Sequence, residues 1–210
     1  MELLGDWNRR INLISRRDEA NIWLSHILHS LTPLFLLEFP ARIRVLDLGT
    51  GGGLPGIPLA VVHGGMEISL LDSIRKKTVA LQEILAELGI PEAAVVPGRA
   101  EEIAGDTVHA ARYDMVIARA VAPLPDLVRW ARPLLNMGGS ELTRRRIMGP
   151  GKSEFKFPYL LALKGGDLEP EIQAVRLRDP ALAITEISLV FPGSEQIDLA
   201  DKKIVIVEYS

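Results

Sequence analysis

Cysteine is absent from the 210 residues, which excludes disulfides, thiolate zinc sites and a cysteine nucleophile. No apolar run approaches the length of a membrane span. The opening "MELLGDWNRR" puts charge and a tryptophan where a signal peptide needs an apolar core. A global basic excess is missing too, since the net charge is -3. Nucleic acid would therefore have to be met by local patches, because the contacting face sets counterion release. What remains is a soluble, cytoplasmic chain, 48% hydrophobic. It is long enough for one sizeable core and a small appendage.

Short β-like runs alternate with helical ones. Residues 42–48, 66–72, 93–98, 113–120, 159–165, 183–191 and 202–209 read as strands. Helices are expected over 54–63, whose prolines fall in its first turn, over 73–88 and over 124–135. The alternation predicts an α/β fold with a mostly parallel, seven-stranded sheet covered on both faces. No helix separates the last two strands, so they should form an antiparallel C-terminal hairpin. Residues 1–41 form an N-terminal helical extension to a main domain over 42–210.

The first strand runs into "LGTGGGLPGIPLA". A phosphate-binding P-loop needs a lysine after its second glycine, and Ile57 stands there. A dinucleotide fingerprint needs a small residue where Leu54 stands. A third pattern fits: acid-x-Gly-x-Gly-x-Gly, with Asp47, Gly49, Gly51 and Gly53, and Thr50 within it. An acid before the loop repels a pyrophosphate and attracts a cationic amino-acid end. S-adenosylmethionine has such an end and carries no phosphate. Asp72 closes the second strand, where an acid hydrogen-bonds ribose hydroxyls. NAD and S-adenosylmethionine share that need, and Asp72 could equally cap the helix after Ser73. Arg119 follows the fourth strand, at the carboxyl edge where open α/β sheets bind ligands.

The strings "WNRRINLISRRDE" (7–19), "HILHS" (26–30), "LDLGTGGGLPGIPLA" (46–60), "LLDS" (70–73), "GRAEE" (98–102), "IARAVAPL" (117–124) and "ALKG" (162–165) follow one another along the chain. Together they resemble the bacterial methyltransferase G family of small-subunit ribosomal RNA, also called glucose-inhibited division protein B. The resemblance implies the Rossmann-like fold of class I S-adenosylmethionine-dependent methyltransferases and methylation of N7 of one guanine in 16S ribosomal RNA. It implies that Gly49 and Leu54 line the cofactor loop and that Asp72 and Ser73 meet the ribose. Ala100 and Glu101 would then border the adenine, and Arg119 would complete the pocket near the acceptor. The chain is expected to act as a monomer, without a metal, on small-subunit RNA or the ribosomal subunit. Guanine N7 has an in-plane lone pair and no proton to remove, so no general base is nominated. His26 and His29 are candidates by residue type only.

Basic residues cluster at Arg9, Arg10, Arg16 and Arg17, and again at Arg144, Arg145, Arg146, Lys152 and Lys156. With Lys164 they are the candidate RNA-phosphate contacts. Three departures from the family pattern stand out. The helical stretch before Trp7 is short, His29 replaces an acid, and a basic insertion occupies about 140–158. Gly149, Pro150 and Gly151 in that insertion predict a mobile, positively charged arm.

Overall fold

The computed structural model describes residues 2–15, 21–138, 146–150, 153–196, 199 and 201–209. Its frame is a seven-stranded sheet. In chain order the strands are β1 (Ile43–Leu48), β2 (Met66–Asp72), β3 (Ala93–Pro97) and β4 (Met115–Arg119). A small separate pair follows, β5 (Arg146–Met148) and β6 (Glu154–Lys156), and then β7 (Tyr159–Gly165), β8 (Ala183–Ser188) and β9 (Lys202–Glu208). The large sheet runs β3-β2-β1-β4-β7-β9-β8. The first five of these strands pair in parallel, whereas β9 is antiparallel to both β7 and β8. The expected terminal hairpin is thus present.

Period-two alternation explains the layers. Ile43, Val45, Ile68, Leu70, Met115, Ile117, Leu161 and Ile206 face one core. It is closed by α1 (Glu2–Ile11), α3 (Gly56–His63) and α4 (Arg75–Leu88), through Leu4, Leu59, Leu81 and Ile84. Leu46, Leu48, Leu71, Val116, Leu160 and Val205 face the other core. Ile103 of α5 (Ala100–Ile103), Leu124 and Leu127 of α6 (Leu124–Ala131), and Ile172 and Val175 of α7 (Glu169–Arg178) close it. The helix α7 has no counterpart in the sequence expectations. Its apolar face is only Ile172 and Val175 among charged neighbours.

Described residues of the N-terminal extension reach into the main domain. Leu4, Leu13 and Ile14 lie in the same core as the strands. The turn after α1 is pinned by the buried Asn8, whose Oδ1 accepts the Ile14 amide at 2.7 Å. A π-helical stretch, Ile22–Leu28, then leads into α2 (His29–Leu36).

The insertion corrects an expectation. The stretch leads into β7, and β7 starts beside Asp114, at the amino ends of the parallel strands and away from the ligand-binding edge. In place of a loose arm, β5 and β6 pair antiparallel. Phe155 and Phe157 are buried in the strand core, and the Lys156 amide donates to Glu208 at 2.8 Å. The seven residues of β7 put roughly 20 Å between this hairpin and the carboxyl edge. Arg144, Arg145 and Lys152 lie outside the described residues.

Anchoring of this kind has a measurable cost. Phe155→Ala should destabilise the protein by about 3–5 kcal/mol in urea unfolding, from lost transfer energy and a residual cavity. Lys156→Ala on the exposed face should stay within about 0.5 kcal/mol. Equal, negligible effects would mean that the hairpin is not docked.

Candidate cofactor and substrate site

The strand order reverses between β1 and β4, and crevices at the carboxyl ends of such switch points bind ligands. Leaving β1, the chain must turn sharply at Gly49, whose φ is 71°. A Cβ there would stand 2.7 Å from Val121 Cγ2 in the loop after β4. Glycine is required on both counts.

Two carboxylates then organise the loop. Asp47 is fully buried, and its Oδ2 accepts the Thr50 hydroxyl at 2.6 Å and the Gly56 amide at 2.8 Å. Burial pushes its carboxyl up to about 6, against the lowering effect of those two hydrogen bonds. Asp72 accepts the Gly51 amide at 3.0 Å and the Ile74 amide at 2.8 Å, one on each oxygen. Its carboxylate also faces Lys77 Nζ at 4.0 Å. The Thr50 amide donates to Leu71 O, and those of Gly53 and Leu54 to Thr50 O. The N–H groups of Thr50, Gly51, Gly53, Leu54 and Gly56 are therefore all satisfied within the chain. A pyrophosphate is held by such amides at a helix N-terminus. Here they are occupied, and the first helical amide faces a carboxylate.

Gly49 lies between two openings. One is a cleft of about 680 Å³ lined by the loop, Leu54, Lys77, Arg119, Lys202 and, toward the N-terminus, Leu13, Ser15, Asn21, Ser25, His26 and His29. The other is a depression of about 150 Å³ lined by Asp72, Ser73, Ala100, Glu101, Val121 and Trp130, among others. The positions expected around a nucleoside thus converge on the smaller opening. Gly51 and Leu54 line the larger one, with Thr50, while Gly53 stands behind the loop, where its Cβ would strike Ile57. Asp47 lines neither. Its Oδ2 is used by the loop from beneath, and its Oδ1 is buried with no hydrogen-bond partner among the described residues.

Arg119 reaches back to the N-terminal stretch. It donates to the carbonyls of Ser25 and His26, each at 3.4 Å, and meets His26 Nδ1 at 3.0 Å. His29 is buried beside it. Desolvation first, then the charges of Arg119, Lys202 and His26, lower its pKa to about 4. It is neutral at physiological pH and suited to packing rather than proton transfer.

The basic candidates scatter. Lys164 is engaged, pairing with Glu171 at 2.8 Å and donating to the Ala122 carbonyl at 3.2 Å. It fastens the loop after β4 to α7. Arg9 pairs with Asp6, and Arg10 lies over the Trp7 ring at 5.1 Å. Both are exposed on α1. Arg16 and Arg17 lie outside the described residues, and of Arg146 only the backbone, in β5, is described. Sequence reasoning missed Lys202, Trp130 and the N-terminal wall of the cleft. For the wall, the "WNRRINLIS" string was a signal without a location.

With this geometry in place, comparison with known proteins is informative. The family model for rRNA small subunit methyltransferase G matches residues 1–145. The chain belongs to this family. A ribosomal RNA small subunit methyltransferase G of Chlorobium luteolum is 43% identical over 86% of this chain and 65% of its own length. The protein of the same name from Christiangramia forsetii is 38% identical over 83% and 74%. The chain thus spans about two thirds to three quarters of these relatives. Fibrillarin from Aeropyrum pernix, solved with natively bound S-adenosylmethionine, superposes with a TM-score of 0.56 at 17% identity, over 86% of this chain and 73% of that one. Precorrin-6y C5,15-methyltransferase from Geobacter metallireducens gives 0.54 at 13% identity, over 87% of each. The seven-stranded fold is that of class I methyltransferases.

The buried histidine predicts a pH effect. Its folded pKa is about 4 against 6.5 unfolded, so its contribution is present above 6.5 and is lost as pH falls through 4. Across that window, stability should fall by up to about 3 kcal/mol relative to a His29→Gln variant, measured by urea unfolding at each pH. Asp47 has the opposite sign, since its raised pKa favours the fold at low pH. The wild-type-minus-variant difference isolates His29, and a flat difference would show that it is not buried as a neutral ring.

Proposed function

We propose that the chain transfers a methyl group from S-adenosylmethionine to N7 of a guanine in 16S ribosomal RNA, acting as a cytoplasmic monomer. The single observation that carries the cofactor choice is the hydrogen bonding of the glycine loop. The amides of Thr50, Gly51, Gly53, Leu54 and Gly56 are used by Leu71, Asp72, Asp47 and the loop itself, which disfavours a phosphate there. A cofactor with a nucleoside and no phosphate fits this chemistry. The substrate follows from family membership and the relatives' names.

When bound, S-adenosylmethionine supplies a methyl group on a sulfonium, ready for transfer. The chain's own residues then have distinct tasks. Asp72 has a lone pair left on each oxygen for ribose hydroxyls. Ser73, Ala100 and Glu101 border the base, and Gly49 lets the ligand cross bare backbone between the two openings. Lys77, Arg119 and Lys202 line the larger cleft and attract an RNA phosphate. Guanine N7 needs no deprotonation, so catalysis by this chain consists of orienting N7 against the methyl group and excluding water.

Tritiated methyl transfer to small-subunit particles lacking the modification tests the whole proposal. Label should enter 16S RNA, and borohydride with aniline should cut the chain at one guanine, as N7 methylation renders it labile. Label confined to small molecules would remove RNA as substrate. Calorimetry tests the cofactor separately: S-adenosylmethionine should saturate and NAD should not. Asp72→Asn should weaken S-adenosylmethionine binding by roughly tenfold, the value of about one hydrogen bond to a charged acceptor.

A further inference from the structure

Three polar atoms converge on the open space at Gly51. A Cβ there would stand 3.9 Å from Leu13 O, 3.9 Å from Lys77 Nζ and 4.0 Å from Gly49 O. All four residues line the larger cleft, and a glycine with φ of 58° keeps the space between them free of a side chain. The two carbonyls accept no hydrogen bond from the described residues. Lys77 Nζ makes none with them either, because its contact with Asp72 Oδ2, at 4.0 Å, is an ion pair too long for a hydrogen bond. The Lys77 side chain is 21% exposed, so a ligand in the cleft can reach it.

Two acceptors and one cation around a single gap suit a narrow class of group. A phosphate would use the ammonium but would face both carbonyls, which repel it. A plain amine would use the carbonyls but would face Lys77. An α-amino-acid end carries both charges on one carbon: an ammonium for Leu13 O and Gly49 O, and a carboxylate for Lys77. Five amides of the loop are already used within the chain, so the charge of that carboxylate falls to a side chain.

We infer that Lys77 binds the carboxylate of the cofactor's methionyl end, while Leu13 O and Gly49 O accept its ammonium. The inference rests on the proposed S-adenosylmethionine site and makes that site selective against the decarboxylated cofactor, which would leave the lysine unpaired. Once the cofactor is bound, Lys77 is neutralised, and Arg119 and Lys202 remain to face RNA.

Calorimetry with S-adenosylhomocysteine, its decarboxylated form and its deaminated form tests each contact. On the wild-type protein the decarboxylated form should bind about ten- to a hundredfold more weakly than S-adenosylhomocysteine, the value of one hydrogen bond between charged groups. Lys77→Met should lose a similar factor on S-adenosylhomocysteine and nothing further on the decarboxylated form. Lys77→Arg, which keeps the charge, should retain most of the affinity. The deaminated form should bind the wild-type protein more weakly than S-adenosylhomocysteine, and Lys77→Met should weaken it again. If Lys77 only steadied Asp72, Lys77→Met would weaken all three ligands and methylthioadenosine alike, and that result would overturn the inference. So would full affinity of the folded Lys77→Met variant for S-adenosylhomocysteine, and so would full affinity of the wild-type protein for the deaminated form. Should Lys77→Met not fold, Lys77→Gln removes the same charge, and equal binding of S-adenosylhomocysteine and its decarboxylated form to the wild-type protein would itself overturn the inference. Failure of the wild-type protein to bind S-adenosylhomocysteine at all would instead overturn the cofactor assignment on which the inference rests.

Discussion

Two carboxylates under one glycine loop hold the functional edge of this protein together. Asp47 is the last residue but one of a central strand, and Asp72 ends its neighbour. Between them they accept one hydroxyl and three backbone amides from the segments that leave those strands. The loop is held from below by hydrogen bonds whose acceptors are buried, and so are little screened by water. Its upper surface is left to bare backbone. A Rossmann-like dinucleotide site uses the same amides upward, toward phosphate. The same strand-turn-helix geometry thus selects opposite ligand chemistries, according to whether the amides are spent inside or outside.

The N-terminal stretch depends on that loop in turn. Leu13 packs on Gly52 closely enough that a Cβ would stand 3.2 Å from its own, and Leu4 and Ile14 carry the stretch into the core. Arg119 ties the other end of the stretch to the fourth strand. The larger cleft is therefore built by residues more than 90 positions apart, and its wall is as much part of the fold as the strands are.

Sheet and loop were legible because their signals are local. Short apolar runs mark the strands of the large sheet within five to seven residues, and the acid-glycine pattern lies within seven consecutive positions. The direction of Asp47 was not legible. Its charge suggested attraction of a ligand, and the structure shows in addition that its Oδ2 holds the loop from beneath. The place of the insertion was hidden for a related reason. Its composition suggests a solvated arm, and only the registration of Tyr159 with Met115 shows that it enters at the amino ends. Trp130 carries no motif, and only α6 brings it beside residues of β2 and α5. Helix α7 was hidden by a face with few apolar residues.

The hairpin of β5 and β6 sits at the end of the sheet opposite the glycine loop. It is closed on itself, rooted by Phe155 and Phe157, and a strand length from the glycine loop. Closing a longer flexible loop costs only about 0.6 kcal/mol per doubling of its length. Extra chain at this edge is thermodynamically cheap, and the rooted aromatics isolate it mechanically from the chemistry. Fusions or reporter segments placed between the two short strands would draw on the same tolerance.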